Sequence, residues 1–290
     1  MNLPANYPTP EHLTAVETVR RFFSANYPVD AILLVNSCAR GKATRDSCLD
    51  MNLLVRPERF KLLLHQLETE WAEFEKSNPV FRALEGVGKY AQVHLDFIVG
   101  AFAPEERDFT SGPDGFELGI GNALAYSLPL WLGSDYYAEL KAKWLPFYNE
   151  ELRAERLKIV RHYCLNNLHH IPLNSQRGLY YQCFDHLYNA YREFLQALFI
   201  ARRIYPIADD KWIREQIVEI LGLPALYSQL AHLFEIRRFE SPEIVKNPGS
   251  GAAPGAVYPK AGGVENYLSP LRTPPQNRGG RSSHSASLRG

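Results

Sequence analysis

Two aspartates lie in short segments whose alternating pattern predicts β-strands. In residues 48–55, CLDMNLLV, the odd positions are apolar, while Asp50 and Asn52 fall on the opposite face. In residues 90–100, YAQVHLDFIVG, the same alternation directs Asp96 away from the apolar face. Successive side chains of a strand point to opposite faces. If the two strands are neighbours, they can therefore aim Asp50 and Asp96 from one sheet face at a shared point.

Carboxylates that converge from adjacent strands suit Mg²⁺ (or Mn²⁺), because these ions prefer oxygen ligands and often share them with substrate phosphates. The reaction this predicts is phosphoryl or nucleotidyl transfer. The turn between the first two predicted strands offers Ser37 and the following amides to a triphosphate, and Gly41 permits close backbone approach. Many proteins have such a turn without a phosphate ligand, and its spacing is not that of a P-loop.

The predicted acids lie in two longer stretches, NSCARGKATRDSCLDMNLLV (36–55) and VHLDFIVG (93–100). Together these stretches resemble the DNA polymerase β-like nucleotidyltransferase superfamily, whose pattern runs Gly-Ser-x-Ala-Arg-Gly, a few residues, then Ser-Asp-x-Asp on the next strand, with a third acid on a later strand. Two further stretches, FELGIGNALAYSLPLWLGSDYYAELKAKWLPFY (116–148) and YREFLQALFIARRIYPIADDKWI (191–213), are similar to the linking segment and helical domain of the small bacterial members, which include the aminoglycoside nucleotidyltransferases. The likeness covers about residues 30 to 235.

The resemblance implies roles for particular residues. Asp50 would hold the metal that bridges the triphosphate, and Asp96 would bind metal or take the proton from the attacking hydroxyl. His94, two residues before Asp96, either tunes that acid or is an ordinary strand histidine. The resemblance also implies that the nucleotide is bound by Ser37, Arg40, Gly41 and Lys211.

The sequence also departs from the family pattern. Aligned without gaps, the first family acid falls on Cys48, the second on Asp50, and the opening glycine on Asn36. A slip of two residues makes Asp50 the first acid and puts Asn52 in place of the second. Neither register recovers three carboxylates, so the metal ligands expected are Asp50, Asp96 and Asn52, with less negative charge than usual.

Periodicity and composition divide the chain into three. Residues 1–132 are predicted to form a nucleotidyltransferase-like α/β (α+β) domain, with a mixed sheet and flanking helices near 11–26 and 57–76. Residues 133–240 are predicted to form an antiparallel helical bundle. Residues 241–290 are rich in Gly, Pro and Ser, which predicts a disordered tail.

Charge and cysteine content set further bounds. Thirty-two basic and thirty-two acidic residues balance, so no polyanion-binding surface is implied by net charge. Four scattered cysteines fit reduced thiols better than a disulfide framework, and no apolar run is long enough to span a bilayer. These features predict a cytoplasmic location and no membrane partner.

The function predicted is transfer of a nucleoside monophosphate from a nucleoside triphosphate to a hydroxyl of a small molecule, a tRNA end or a protein. The reduced metal site predicts weakened activity. The alternative is a catalytically degenerate module, antitoxin-like, that binds nucleotide or another protein. Retention of Asp96 favours the enzyme, whereas the missing strand acid favours the module.

Overall fold

The computed structural model describes residues 5–103 and 112–242. Four strands are present in these ranges: β1 (Ala31–Leu34), β2 (Leu49–Leu54), β3 (Val93–Ile98) and β4 (Leu128–Leu132). The α-helices of the described ranges are α1 (Pro10–Asn26), α2 (Asn36–Ala39), α3 (Pro57–Ser77), α4 (Pro79–Glu85), α5 (Asn122–Tyr126), α6 (Tyr136–Trp144), α7 (Glu150–Gln176), α8 (Tyr180–Arg202) and α9 (Pro224–Leu233). Two π-helical segments, Glu117–Gly121 and Glu215–Ile220, precede α5 and α9.

The strands form one mixed sheet in the order β3-β2-β1-β4. β1 runs antiparallel to both β2 and β4, whereas β2 and β3 are parallel. The parallel pair requires a crossover, which α3 and α4 supply between β2 and β3. The predicted α+β class with a mixed sheet and flanking helices is confirmed.

Both faces of the sheet are covered. On one face, Met51 and Leu53 of β2 pack with Val16 and Phe23 of α1 and with Trp71 of α3. On the other face, Leu33 of β1 and Leu54 of β2 join a second cluster that includes Ala197 and Ile200 of α8. The second cluster spans the domain boundary predicted at residue 132, and that boundary remains a prediction.

The C-terminal part of the described chain is helical, as predicted. α7 and α8 are joined by three residues, 177–179, so they form an antiparallel helical hairpin. In the first half of α8 the buried side chains recur at helical spacing, whereas every residue from Glu193 to Ala201 is buried, so the second half of the helix is enclosed on all sides. Arg203 ends the helix in the left-handed region, with φ of 55°. No helix of the described ranges has the length and apolar character needed to cross a membrane.

Two local features differ from the sequence-based expectation. The helical spacing of Leu13, Val16 and Val19 predicts that all three are buried on one face of α1, but Leu13 is 46% exposed. β4 was not predicted, because Pro129 interrupts its pattern. As an edge strand, β4 needs only one set of ladder hydrogen bonds, so it tolerates a proline.

Of the predicted disordered tail at 241–290, residues 243–290 lie outside the described residues, and the tail remains a prediction.

The turn after β1 depends on two residues with positive φ. Asn36 has φ of 55°, and Gly41 has φ of 72°. Asparagine is one of the few residues other than glycine that adopts this region readily. Asn36 therefore begins this turn with a positive φ without a glycine at that position.

Candidate metal and nucleotide site

The parallel register of β2 and β3 brings the predicted acids onto one face. Asp50 is paired with His94, and two residues further on Asn52 is paired with Asp96. All four side chains share the sheet face of Leu54, which is paired with Ile98 at the far end of the strands. The strand starts are therefore polar on this face, and the strand ends are apolar.

Asp50 and Asp96 are diagonal neighbours rather than direct partners. With strands about 4.8 Å apart and a rise of about 3.3 Å per residue, their α-carbons are roughly 8 Å apart. A single ion would bind both carboxylates only if the side chains leaned toward each other. Asp96 is exposed, whereas Asn52 is only 6% exposed. The buried amide and the exposed carboxylate lie side by side.

Cys48 and His94 are the side chains that contact Asp50. The Sγ of Cys48 lies 3.3 Å from Oδ2 of Asp50. The Nδ1 of His94 lies 3.3 Å from Oδ1 of Asp50. One ligand atom from each of these three residues falls within 4.8 Å of the other two. Asp96 is not part of this group.

The turn residues predicted to bind phosphate differ in their exposure and in their contacts. Ser37 and Gly41 are half-buried near the surface of the turn. Arg40 is buried and pairs with Glu215 of the second π-helical segment, with Nε 3.1 Å from Oε1. Its guanidinium also lies over the ring of Trp212, 5.4 Å from the centroid.

A second ion pair joins the same two segments. Nζ of Lys42 lies 2.9 Å from Oε2 of Glu219. Glu215 and Glu219 are four residues apart and so project from the same side of their helical segment. The cations of the turn are thus bound by acids from the helical half of the chain.

Lys211 is exposed and lies within electrostatic range of Cys48. Burial, and next the charge of Asp50, raise the pKa of the Cys48 thiol to about 11, while the positive charge of Lys211 opposes that rise. The structure therefore brings Lys211 toward the Cys48 and Asp50 end of the strands.

Sequence reasoning missed the acids that pair with the turn. Glu215 and Glu219 gave one usable signal, which is their spacing of four residues in a helical region. That signal does not identify Arg40 and Lys42 as partners, because the pairs are 175 and 177 residues apart in the chain.

Comparisons with known proteins find similarity among solved structures. No family model matches the chain, and neither does any curated protein sequence. Among solved structures, the chain is similar to a nucleotidyltransferase-like protein from Exiguobacterium sibiricum 255-15, with 12% identity and a TM-score of 0.42. The alignment covers 89% of this chain and 74% of that chain. Similarity at this level does not assign a family.

Proposed function

We propose that this protein transfers a nucleoside monophosphate from a nucleoside triphosphate to a hydroxyl group, with a reduced metal site formed by Asp50, Asn52 and Asp96. The observation that carries the proposal is the parallel register, which pairs Asn52 with Asp96 and puts Asp50 on the same face. Three oxygen-bearing side chains on one face fit the preference of Mg²⁺ or Mn²⁺ for oxygen ligands.

In the proposed reaction, the acceptor hydroxyl oxygen bonds to the α-phosphorus, and the bond between that phosphorus and the bridging oxygen breaks. Pyrophosphate leaves, and the hydroxyl proton passes to a base. Exposed Asp96 is suited to accept that proton, because it can reach an acceptor from solvent. A bound divalent ion would neutralise charge on the phosphates.

The residues around the metal ligands would position the triphosphate. Ser37 supplies a hydroxyl at the turn, and Lys211 supplies a positive charge near the start of β2. The amides of Gly41 and Lys42 already donate to carbonyls within the turn, so Gly41 would contribute close backbone approach rather than a free donor. Arg40 contributes only if its pair with Glu215 opens. Its Nη2 has no hydrogen-bond partner among the described residues, but that atom is buried.

A catalytically degenerate module that binds nucleotide or protein is the second candidate. The observation that favours it is the pairing of Arg40 and Lys42 with Glu215 and Glu219. These pairs neutralise two cations that a triphosphate would otherwise use. Under the protein-interaction form of this alternative, the turn joins two parts of the fold and does not hold phosphate.

The deciding experiment compares nucleoside triphosphates labelled at the α-phosphate with those labelled at the γ-phosphate. Purified protein is incubated with each, with Mg²⁺ or Mn²⁺, and with aminoglycosides, tRNAs or lysate proteins as acceptors. Transfer of the α-label alone supports nucleotidyl transfer, because the γ-label leaves in pyrophosphate. Calorimetric titration with triphosphate and metal is the companion measurement. Absence of triphosphate binding under every metal condition would favour the protein-interaction form of the second candidate.

A further inference from the structure

Three side chains with different ligand atoms meet at the start of β2 and β3. They are a thiol from Cys48, a carboxylate from Asp50 and an imidazole from His94. Asp50 stands between the other two, with Cys48 Sγ and His94 Nδ1 each 3.3 Å from one of its oxygens. This group shares only Asp50 with the oxygen ligands of the proposed function.

The donor set differs from the set that Mg²⁺ requires. Thiolate and imidazole are preferred by Zn²⁺ and related transition-metal ions, and carboxylate is also a common zinc ligand. Standard zinc bond lengths in a tetrahedral arrangement put neighbouring ligand atoms about 3.4 to 3.6 Å apart. The two 3.3 Å distances at Asp50 are close to this spacing, and they end on different oxygens of the carboxylate. The three ligand atoms lie within 4.8 Å of one another, so a bound ion would draw the side chains closer together.

We propose that Cys48, Asp50 and His94 bind one zinc-class divalent ion. Three protein ligands leave the fourth tetrahedral position to water or to an external ligand, which is the arrangement of open zinc sites. On binding the ion, the Cys48 thiol releases its proton to solvent, and the resulting thiolate and the carboxylate balance the two charges of the ion. The inference does not rest on the proposed nucleotidyl transfer.

The surroundings of the three ligands support a fixed geometry. The amide nitrogen of Gln92 lies 2.7 Å from Nε2 of His94 and donates to it, which orients the ring and puts the ring proton on Nδ1, toward Asp50. A histidine that binds metal donates its other N–H to an outer partner, so binding through Nδ1 requires the Gln92 amide to turn and present its oxygen to the N–H of Nε2. The amide of Leu49 donates to the carbonyl of Gln92 at 2.8 Å, so the starts of the two strands are joined next to the ligands.

The site is also accessible to an ion. The side chain of His94 is 51% exposed, whereas that of Asp50 is 14% exposed. An ion can therefore approach past the imidazole and reach the more buried carboxylate. Asp50 belongs both to the proposed zinc ligands and to the oxygen ligands proposed for Mg²⁺. Zn²⁺ bound here should therefore compete with Mg²⁺.

The test is titration of the reduced full-length protein with Zn²⁺ by calorimetry, without nucleotide, and with Co²⁺ by absorption spectroscopy. The expected result is one equivalent of Zn²⁺ bound and a sulfur-to-cobalt charge-transfer band. Cys48→Ser should abolish that band, and Cys48→Ser and His94→Gln should each weaken zinc binding by more than about 100-fold. Gln92→Leu should weaken it by about tenfold, as expected for an outer partner.

Matched controls are Cys183→Ser, which changes a buried thiol of α8, and His65→Gln, which changes an exposed histidine of α3. Both should bind zinc as the unsubstituted protein does, and circular dichroism checks that every variant folds. No zinc binding by the unsubstituted protein would overturn the proposal. So would equal affinity in folded Cys48→Ser and His94→Gln. Neither outcome bears on nucleotidyl transfer, which the α-label assay measures with Mg²⁺ alone.

Discussion

Arg40 and Glu215, 175 residues apart in the chain, form an ion pair with side chains that are only 2% and 7% exposed. The pair joins the turn after β1 to the π-helical segment that precedes α9. Removing one member of a buried pair leaves the other charge without compensation in a poorly solvated environment. This contact therefore couples the position of the proposed phosphate turn to the helical half of the chain.

Glu215→Gln should lower the free energy of unfolding by about 3 kcal/mol, because it leaves the Arg40 charge buried without its partner. Glu219→Gln is the matched control, since it removes the acid of the neighbouring Lys42 pair, which is 35% and 46% exposed. Glu219→Gln should lower the free energy of unfolding by less than about 1 kcal/mol. Denaturant unfolding measures both, and equal losses would show that burial does not set the strength of the Arg40 pair.

Asp96→Ala should abolish transfer of the α-label, because it removes either a metal ligand or the base. Glu73→Ala, which changes an exposed acid of α3, should leave transfer unchanged. Label transfer by purified protein is the measurement. Transfer that survives in Asp96→Ala would contradict the mechanism proposed for this residue.

Asn52→Asp should strengthen Mg²⁺ binding, since it puts a carboxylate directly opposite Asp96 in the strand register. Without metal, the substitution should destabilise the fold, because position 52 is only 6% exposed and an added charge there is poorly solvated. Addition of Mg²⁺ should therefore raise the unfolding temperature of the variant more than that of the original protein. Differential scanning calorimetry with and without Mg²⁺ tests this. An identical Mg²⁺ response in both proteins would exclude position 52 from the metal site.

Glu150 should make the stability of the helical hairpin depend on pH in the acid range. Hydrogen bonds from Arg153 and Arg203 lower the pKa of Glu150 from 4.5 to about 2. A depressed folded-state pKa contributes stability above the unfolded-state value, and that contribution is lost as the pH falls from about 5 toward 2. The Glu150 side chain is 64% exposed, so the effect should be at most about 1 kcal/mol.

Glu150→Gln should accordingly be less stable than the original protein at pH 7. Near pH 2 the two proteins should be equally stable. Glu151→Gln, at the next position of α7, is the control. Thermal unfolding followed across this pH range gives the comparison. If Glu150→Gln is less stable than the original protein by the same amount at both pH values, the effect belongs to packing and not to the charge of Glu150.

Much of the local structure followed from the sequence because it depends on short-range patterns. Pro57 begins α3 as expected, since a proline at the first helical position lacks only an N–H that would have no helical partner. The alternation around Asp50 and Asp96 predicted two strands and the parity of their side chains, and both strands are present. β4 was missed because the local signal of Pro129 opposes a strand, while its pairing with β1 depends on a distant segment.

The sequence by itself determined which residues alternate, where the main helices begin, and that Asp50 and Asn52 share a face. Only the tertiary structure decided that β2 and β3 are parallel neighbours in this register, with Asp50 beside His94 and Asn52 beside Asp96. It also decided that Arg40 is paired with Glu215. Side-chain parity follows from backbone geometry within a few residues, whereas register and long-range ion pairs depend on how the whole chain buries its apolar surface.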